Sequence, residues 1–297
     1  MVRVLLTGAG GQLGSALRGP LAALGELVAA DRSVCDLRDE PGVARLVREV
    51  RPAVIVNAAA WTDVDGAETH RQQADAVNAR APGMLARLAL EHGALLLHYS
   101  TDYVFDGRLR RPYLETDAPA PLSAYGTGKL AGEQAVRATG CAHAVVRTGW
   151  VYGRHGRNFV RTVLALARER QALQVVDDQF GSPTPADWLA EASAAVAARY
   201  LAAPPDFPSG LYHLCGAGSV SRHAWARAIV AQARGQGARL ALAPEDIHAV
   251  ASACVQRPAR RPAWSALSSG LAARTFGLTP PPWDSHIARV VAACLAD

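Results

Sequence analysis

The residues best placed to do chemistry are Tyr125 and Lys129, in the run Tyr-Gly-Thr-Gly-Lys. In a helix that spacing sets both side chains on one face, one turn apart. The 31 basic residues comprise 30 arginines and one lysine, and the lysine is Lys129. Positive charge is supplied everywhere else as arginine, so position 129 calls for something a planar guanidinium lacks, such as a compact three-donor point charge. A free phenol titrates near pH ~10. An adjacent ammonium favours phenolate and brings the group toward the range where it exchanges a proton efficiently. Tyr125 therefore reads as a general acid or base. Glycines at 126, 128 and 132 each cost a helix interior about 1 kcal/mol relative to alanine, and point to close approach by a bulky ligand.

Strands and loops must bring other groups to this helix. Val2-Arg3-Val4-Leu5-Leu6-Thr7 has the apolar character of a buried parallel strand. It runs into Gly8-Ala9-Gly10-Gly11-Gln12-Leu13-Gly14 and then a helix over 15–24. Glycines at 8, 11 and 14 suit a tight turn, close approach to a pyrophosphate and helix–strand packing, with phosphate at the helix N-terminus. A second strand, 26–31, ends in Asp31, where a dinucleotide fold keeps the acid that binds a ribose hydroxyl. Asp31 favours NADH, whereas Arg32 could hold a 2′-phosphate, so both cofactors stay open. Asp36 and Leu37 fall where an adenine edge would rest, or in an ordinary loop.

A helix over 43–50 precedes the strand 53–57 and the small residues Ala58, Ala59 and Ala60 before Trp61 and Thr62. Those alanines leave room for a cofactor or for helix–sheet packing. A helix over 72–91 leads to the strand 94–101, and Thr101 at its carboxyl end can hydrogen-bond a substrate carbonyl or oxyanion. A long Pro- and Arg-rich loop follows, a feature with a functional reason in compact domains. Ser123 is placed to cap the Tyr125 helix. With a strand over 141–147, strands and helices alternate through the first half, which predicts an α/β fold with a Rossmann-like doubly wound parallel sheet. The expected division is a cofactor-binding domain over 1–148 and a smaller mixed α/β substrate domain over 149–297, either separate from the first or interleaved with it.

At 297 residues, half of them hydrophobic, the chain can bury a substantial core. Net charge is +5, but the arginines are scattered without an aromatic-studded stripe, so an anionic small molecule is expected rather than nucleic acid. The five cysteines form no CxxC pair and the nine histidines no HExxH motif, pointing to reduced thiols, a cytoplasmic setting and no metal site. The chain enters a strand without a signal-peptide pattern and has no apolar run of about 18 residues, so neither secretion nor a membrane span is expected.

The glycine loop, the Ser-Thr pair at a strand end and the Tyr-xxx-Lys pair together resemble the extended short-chain dehydrogenase/reductase superfamily. Further segments carry a closer resemblance, to the dTDP-4-dehydrorhamnose reductase family. They are Gly-Gly-Gln-Leu-Gly at 10–14, Val-Asn-Ala-Ala-Ala-Trp-Thr at 56–62, His-Tyr-Ser-Thr-Asp-Tyr-Val-Phe at 98–105, Pro-Leu-Ser-Ala-Tyr-Gly-Thr-Gly-Lys-Leu-Ala-Gly-Glu at 121–133, Arg-Thr-Gly-Trp-Val-Tyr at 147–152 and Asp-Gln-Phe-Gly-Ser-Pro-Thr at 178–184. The resemblance runs essentially end to end.

It implies reduction of the 4-keto group of dTDP-4-dehydro-6-deoxy-L-mannose to dTDP-L-rhamnose by NADPH or NADH. Tyr125, Lys129 and Thr101 are the implied catalytic set, with Lys129 holding the nicotinamide ribose and lowering the Tyr125 pKa. Implied cofactor contacts are Gly11, Gln12, Leu13, Asp31, Asp36, Leu37, Ala60, Trp61, Thr62, Tyr99 and Lys129, beside Gly8 and Arg32 from the residue reading. Thr101, Asp102 and Trp150 face the sugar nucleotide. Ala16 and Cys294 stand around the places where some members carry carboxylates supporting a magnesium-assisted dimer, which speaks against Mg2+ dependence and that form of homodimer. Arg260 and Arg261 either bind diphosphate or brace a Pro-rich loop. The alternatives are a non-catalytic NADP-binding regulatory subunit, or a reductase or epimerase of another nucleotide 4-keto sugar. A dehydratase would need an acid pair after the threonine, and here Tyr103 follows Asp102.

Overall fold

A computed structural model describes residues 1–296. Six strands, β1 (Arg3–Thr7), β2 (Glu26–Ala30), β3 (Val54–Asn57), β4 (Leu95–Thr101), β5 (His143–Thr148) and β6 (Gly210–His213), form a wholly parallel sheet in the order β6-β5-β4-β3-β1-β2. The helices that position the site or close the core are α1 (Gln12–Ala22), α2 (Glu40–Val50), α3 (Ala81–His92), α4 (Ala124–Arg137), α5 (Phe159–Glu169), α6 (Ala186–Ala202), α7 (Arg222–Gly235) and α8 (Ile287–Ala296). Successive strand residues face opposite sides. Val4, Leu6, Val54, Val56, Leu95 and Leu97 therefore pack with Leu17 and Leu21 of α1 and Leu189 of α6, while Leu5, Ile55, Leu96 and Val145 pack with Val43, Val47, Leu85 and Val136 of α2, α3 and α4. Burial on both faces explains why these strands read as apolar runs. The strand order reverses between β1 and β3, and in such sheets ligands occupy the crevice beyond the strand ends at that point.

Beyond β5 the chain builds a second lobe on Trp150, Tyr152, Leu164, Trp225, Ile229, Ile247, Ile287 and Val291. It includes α5, α7, α8 and a short parallel pair, Leu173–Val176 with Ile247–Val250. Twice the chain crosses back: α6 lies against α1, and β6 adds to the sheet beside β5. The region after residue 148 thus contributes to both halves. Asp297 lies outside the described residues.

The helix expected over 72–91 is present as a continuous helical stretch over 71–92, but it is not α-helical throughout. A short helix, Arg71–Asp75, passes into a π-turn, Ala76–Arg80, before α3, and the Ala81 amide bonds the Ala76 carbonyl. Pro82 is the cause, because it has no amide proton for the Asn78 carbonyl and its ring collides with an α-helical carbonyl at that position. Its consequence falls on the site.

Candidate active site

The carboxyl ends of β1, β3 and β4, the start of α4 and the first residues of the second lobe enclose a cleft of about 1240 Å³. All of the expected site residues line it: Gly8, Gly11, Gln12, Leu13, Asp31, Arg32, Asp36, Leu37, Ala60, Trp61, Thr62, Tyr99, Thr101, Asp102, Tyr125, Lys129 and Trp150.

At one end the glycine loop forms a cradle. Gly8 has φ +71°, and a Cβ there would lie 2.5 Å from the Ala59 amide nitrogen. A side chain is excluded on both counts. Gly11 caps α1 without a side-chain hydrogen bond, and the first turn of α1 holds no acidic residue. The leading amides and positive end of the helix dipole thus suit a phosphate. Behind the cradle Thr7 donates to Asn57 (2.8 Å), and Asn57 meets His98 Nδ1 (3.1 Å). Asp31 lies just past β2 and accepts hydrogen bonds from the Ser33 amide (2.9 Å) and hydroxyl (2.6 Å), which hold its carboxyl below the usual range. Asp36 is held at about 2 by the side chain of Arg38, which bonds both its oxygens. The side chain of Arg32 is 74% exposed.

The π-turn sets the next wall. Asn78 accepts from the Trp61 amide (3.0 Å) and donates to the Trp61 carbonyl (2.9 Å), fixing the loop after β3. Across it, α4 begins at Ser123, whose hydroxyl accepts from the Gly126 amide, while Glu68 accepts from the Ala124 amide. The glycines of α4 do not receive a ligand, contrary to the expectation. A Cβ at 126 would meet the Tyr103 carbonyl, at 128 Asp75 Oδ1, and at 132 the Asn78 carbonyl. They let α4 approach the π-turn and the end of β4, which is helix packing.

That approach buries the reactive pair. Lys129 is 2% exposed and donates to the Tyr99 carbonyl at 2.5 Å. The Tyr99 side chain points the other way and donates to Ser193 of α6, so toward Lys129 it offers its backbone. The Tyr125 phenol faces Thr101, whose hydroxyl donates to Asp102 Oδ1 (3.1 Å). On the same face of α4 as Lys129, one turn further on, Glu133 accepts from Ser100 and makes a two-pronged ion pair with Arg147, 2.8 and 2.7 Å.

The match to known proteins is extensive. The RmlD substrate binding domain family matches residues 2–296. The chain is 45% identical over 285 residues to a dTDP-4-dehydrorhamnose reductase of Burkholderia thailandensis, covering 95% of each chain, and 43% identical over 294 residues to that of Escherichia coli K12, covering 98% and 97%. Among solved structures, dTDP-4-dehydrorhamnose reductase of Bacillus anthracis in complex with NADP superposes with a TM-score of 0.86 at 33% identity, covering 98% of this chain and 99% of that one. The chain belongs to the dTDP-4-dehydrorhamnose reductase family.

In this member of the dTDP-4-dehydrorhamnose reductase family, burial is the largest influence on the Tyr125 and Lys129 side chains. Burial pushes the phenol up, opposed by the Thr101 hydroxyl beside it, and burial lowers Lys129 to about 8 while the Glu133 charge opposes that fall. Lining residues that sequence reasoning passed over include Tyr103, Asp65, Arg222 and Arg257. Arg261 lines the cleft and grips both oxygens of Asp65 at 2.7 Å, whereas Arg260 is not among the lining residues. No sequence signal separates Arg222 from the other arginines, because its role depends on the second lobe closing over β4.

Proposed function

We propose that this chain reduces the 4-keto group of dTDP-4-dehydro-6-deoxy-L-mannose to dTDP-L-rhamnose, using NADPH or NADH. The observation that carries the reading is buried Lys129 one helical turn from Tyr125, with Thr101 beside them, in the same cleft as a glycine cradle. Gly8 and Gly11 with the open start of α1 suit the cofactor's pyrophosphate, Asp31 or Arg32 its adenosine ribose, and Lys129 its nicotinamide ribose. The bound cofactor supplies a hydride to the sugar carbonyl carbon.

Tyr125 supplies the proton. A free phenol already titrates near pH ~10 and burial pushes this one further up, so it holds the proton needed to donate to an oxygen gaining negative charge. Thr101 can bond the same oxygen and orient it. Lys129 spends one donor on the Tyr99 carbonyl and keeps two. Those can reach a ribose hydroxyl and stabilise the phenolate left by proton transfer. Asp102 and Trp150 hold the sugar nucleotide, and the boundary of the cofactor part falls near residue 148 with α6 and β6 added to it. A cytoplasmic setting, supported by the cysteine spacing, completes the proposal, and sedimentation tests for a homodimer.

Loss of NADPH or NADH absorbance on addition of dTDP-4-dehydro-L-rhamnose tests the reading. Cofactor binding without turnover would contradict it and favour a non-catalytic binding role.

A further inference from the structure

We infer that Arg222 is a positioning residue for the sugar end of this site: it braces the Trp150 indole in the cleft where Asp102 offers a carboxylate oxygen to a sugar hydroxyl. The inference rests on the reductase reading. Arg222 opens α7, and its guanidinium carbon lies 3.6 Å from the centroid of the Trp150 ring and 5.0 Å from that of Phe159. It lines the same cleft as Tyr103 and Asp102. Trp150 needs such a brace, because its backbone sits at φ +50°, a region non-glycine residues seldom occupy.

Asp102 is 3% exposed; Thr101 donates to Oδ1, and Oδ2 has no partner. An unpaired buried carboxylate oxygen on a ligand cleft is a costly arrangement that a ligand donor would relieve. The groups facing it are Thr101 of β4, Tyr125 of α4, Ser265, Cys215 and Arg222. The positive charge among them is Arg222. Burial raises Asp102 to about 6, and the hydroxyls of Ser265 and Thr101 and the charge of Arg222 oppose the rise.

Steady-state kinetics against pH, with NADPH and dTDP-4-dehydro-L-rhamnose, tests this in wild type, Arg222→Met, Arg222→Lys and Asp102→Asn, with NADPH affinity measured for each as a check on folding. In Arg222→Met the acidic limb of kcat/KM moves up by ~1 pH unit and the sugar-nucleotide KM rises ~10-fold, the worth of one hydrogen bond to a charged group. Arg222→Lys restores the limb, and Asp102→Asn abolishes it. NADPH affinity stays at the wild-type value in all three. A limb that stays in place in Arg222→Met, or that persists in Asp102→Asn, overturns the inference; the second variant decides if the first does not fold. Wild-type protein that never turns over the sugar nucleotide sinks the reductase reading itself, and the inference with it.

Discussion

Replacing Glu133 by glutamine should cost far more than an ordinary surface change. The Glu133 and Arg147 side chains are 2% and 3% exposed and pair at 2.7 Å, with Ser100 donating to the same carboxylate. Glutamine keeps the size and removes the charge, leaving a guanidinium buried without its counter-ion. Breaking a buried pair from one side costs about 3–5 kcal/mol, a large part of the ~5–15 kcal/mol that holds a typical domain together. Urea unfolding followed by circular dichroism measures the loss. Glu133→Leu combined with Arg147→Met should recover most of it, since an apolar pair avoids desolvating two charges. Lys129 adds a functional consequence. Burial already lowers it to about 8 and Glu133 opposes the fall, so the glutamine variant loses the ammonium at lower pH and the basic limb of its activity profile moves down. A loss below ~1 kcal/mol, the worth of an exposed pair, would show that water reaches this pair and would refute the reasoning.

Two further substitutions separate chemistry from architecture. Tyr125→Phe removes the proposed proton donor and should lower turnover ~10²–10⁴-fold with NADPH affinity retained; near-normal turnover would remove Tyr125 from the mechanism. Asp102→Asn should stabilise the protein while weakening sugar binding. Asp102 is raised from 3.8 unfolded to about 6 folded, so the stability that comes from staying neutral is full below 3.8 and is lost as pH rises through about 6. At neutral pH the buried charge therefore costs ~1–3 kcal/mol. Thermal unfolding should show the variant ahead at neutral pH and level near pH ~3.5, and a variant less stable at neutral pH would contradict this.

The sheet and the cleft were legible because their signals are local. Apolar runs ending in Gly8, Asn57 and Thr101 mark strand ends, and in a doubly wound sheet the strand ends are where ligands gather. The single lysine among 30 arginines marked Lys129 for the same reason. Features that depend on how elements meet were not legible. The α4 glycines signal close approach, but the sequence does not say whether a ligand or a helix approaches; the Asn78 carbonyl above Gly132 decides for a helix. Pro82 is visible in the sequence, yet its effect, a π-turn that turns Asn78 onto the Trp61 backbone, depends on the loop after β3. The left-handed Trp150 has no sequence signature, since its ring is accommodated by Gly181, 31 residues further on. Likewise the side chain facing Asp102 from α7 is one arginine among many until the lobes are assembled.

The most direct test of the central claim is the product formed from dTDP-4-dehydro-L-rhamnose with nicotinamide cofactor carrying deuterium on its transferable position, analysed by NMR. The account predicts dTDP-L-rhamnose with deuterium at C4 of the sugar, formed by wild type and lost in Tyr125→Phe. Recovery of unreduced sugar nucleotide, or a reduced product without deuterium at C4, would contradict it.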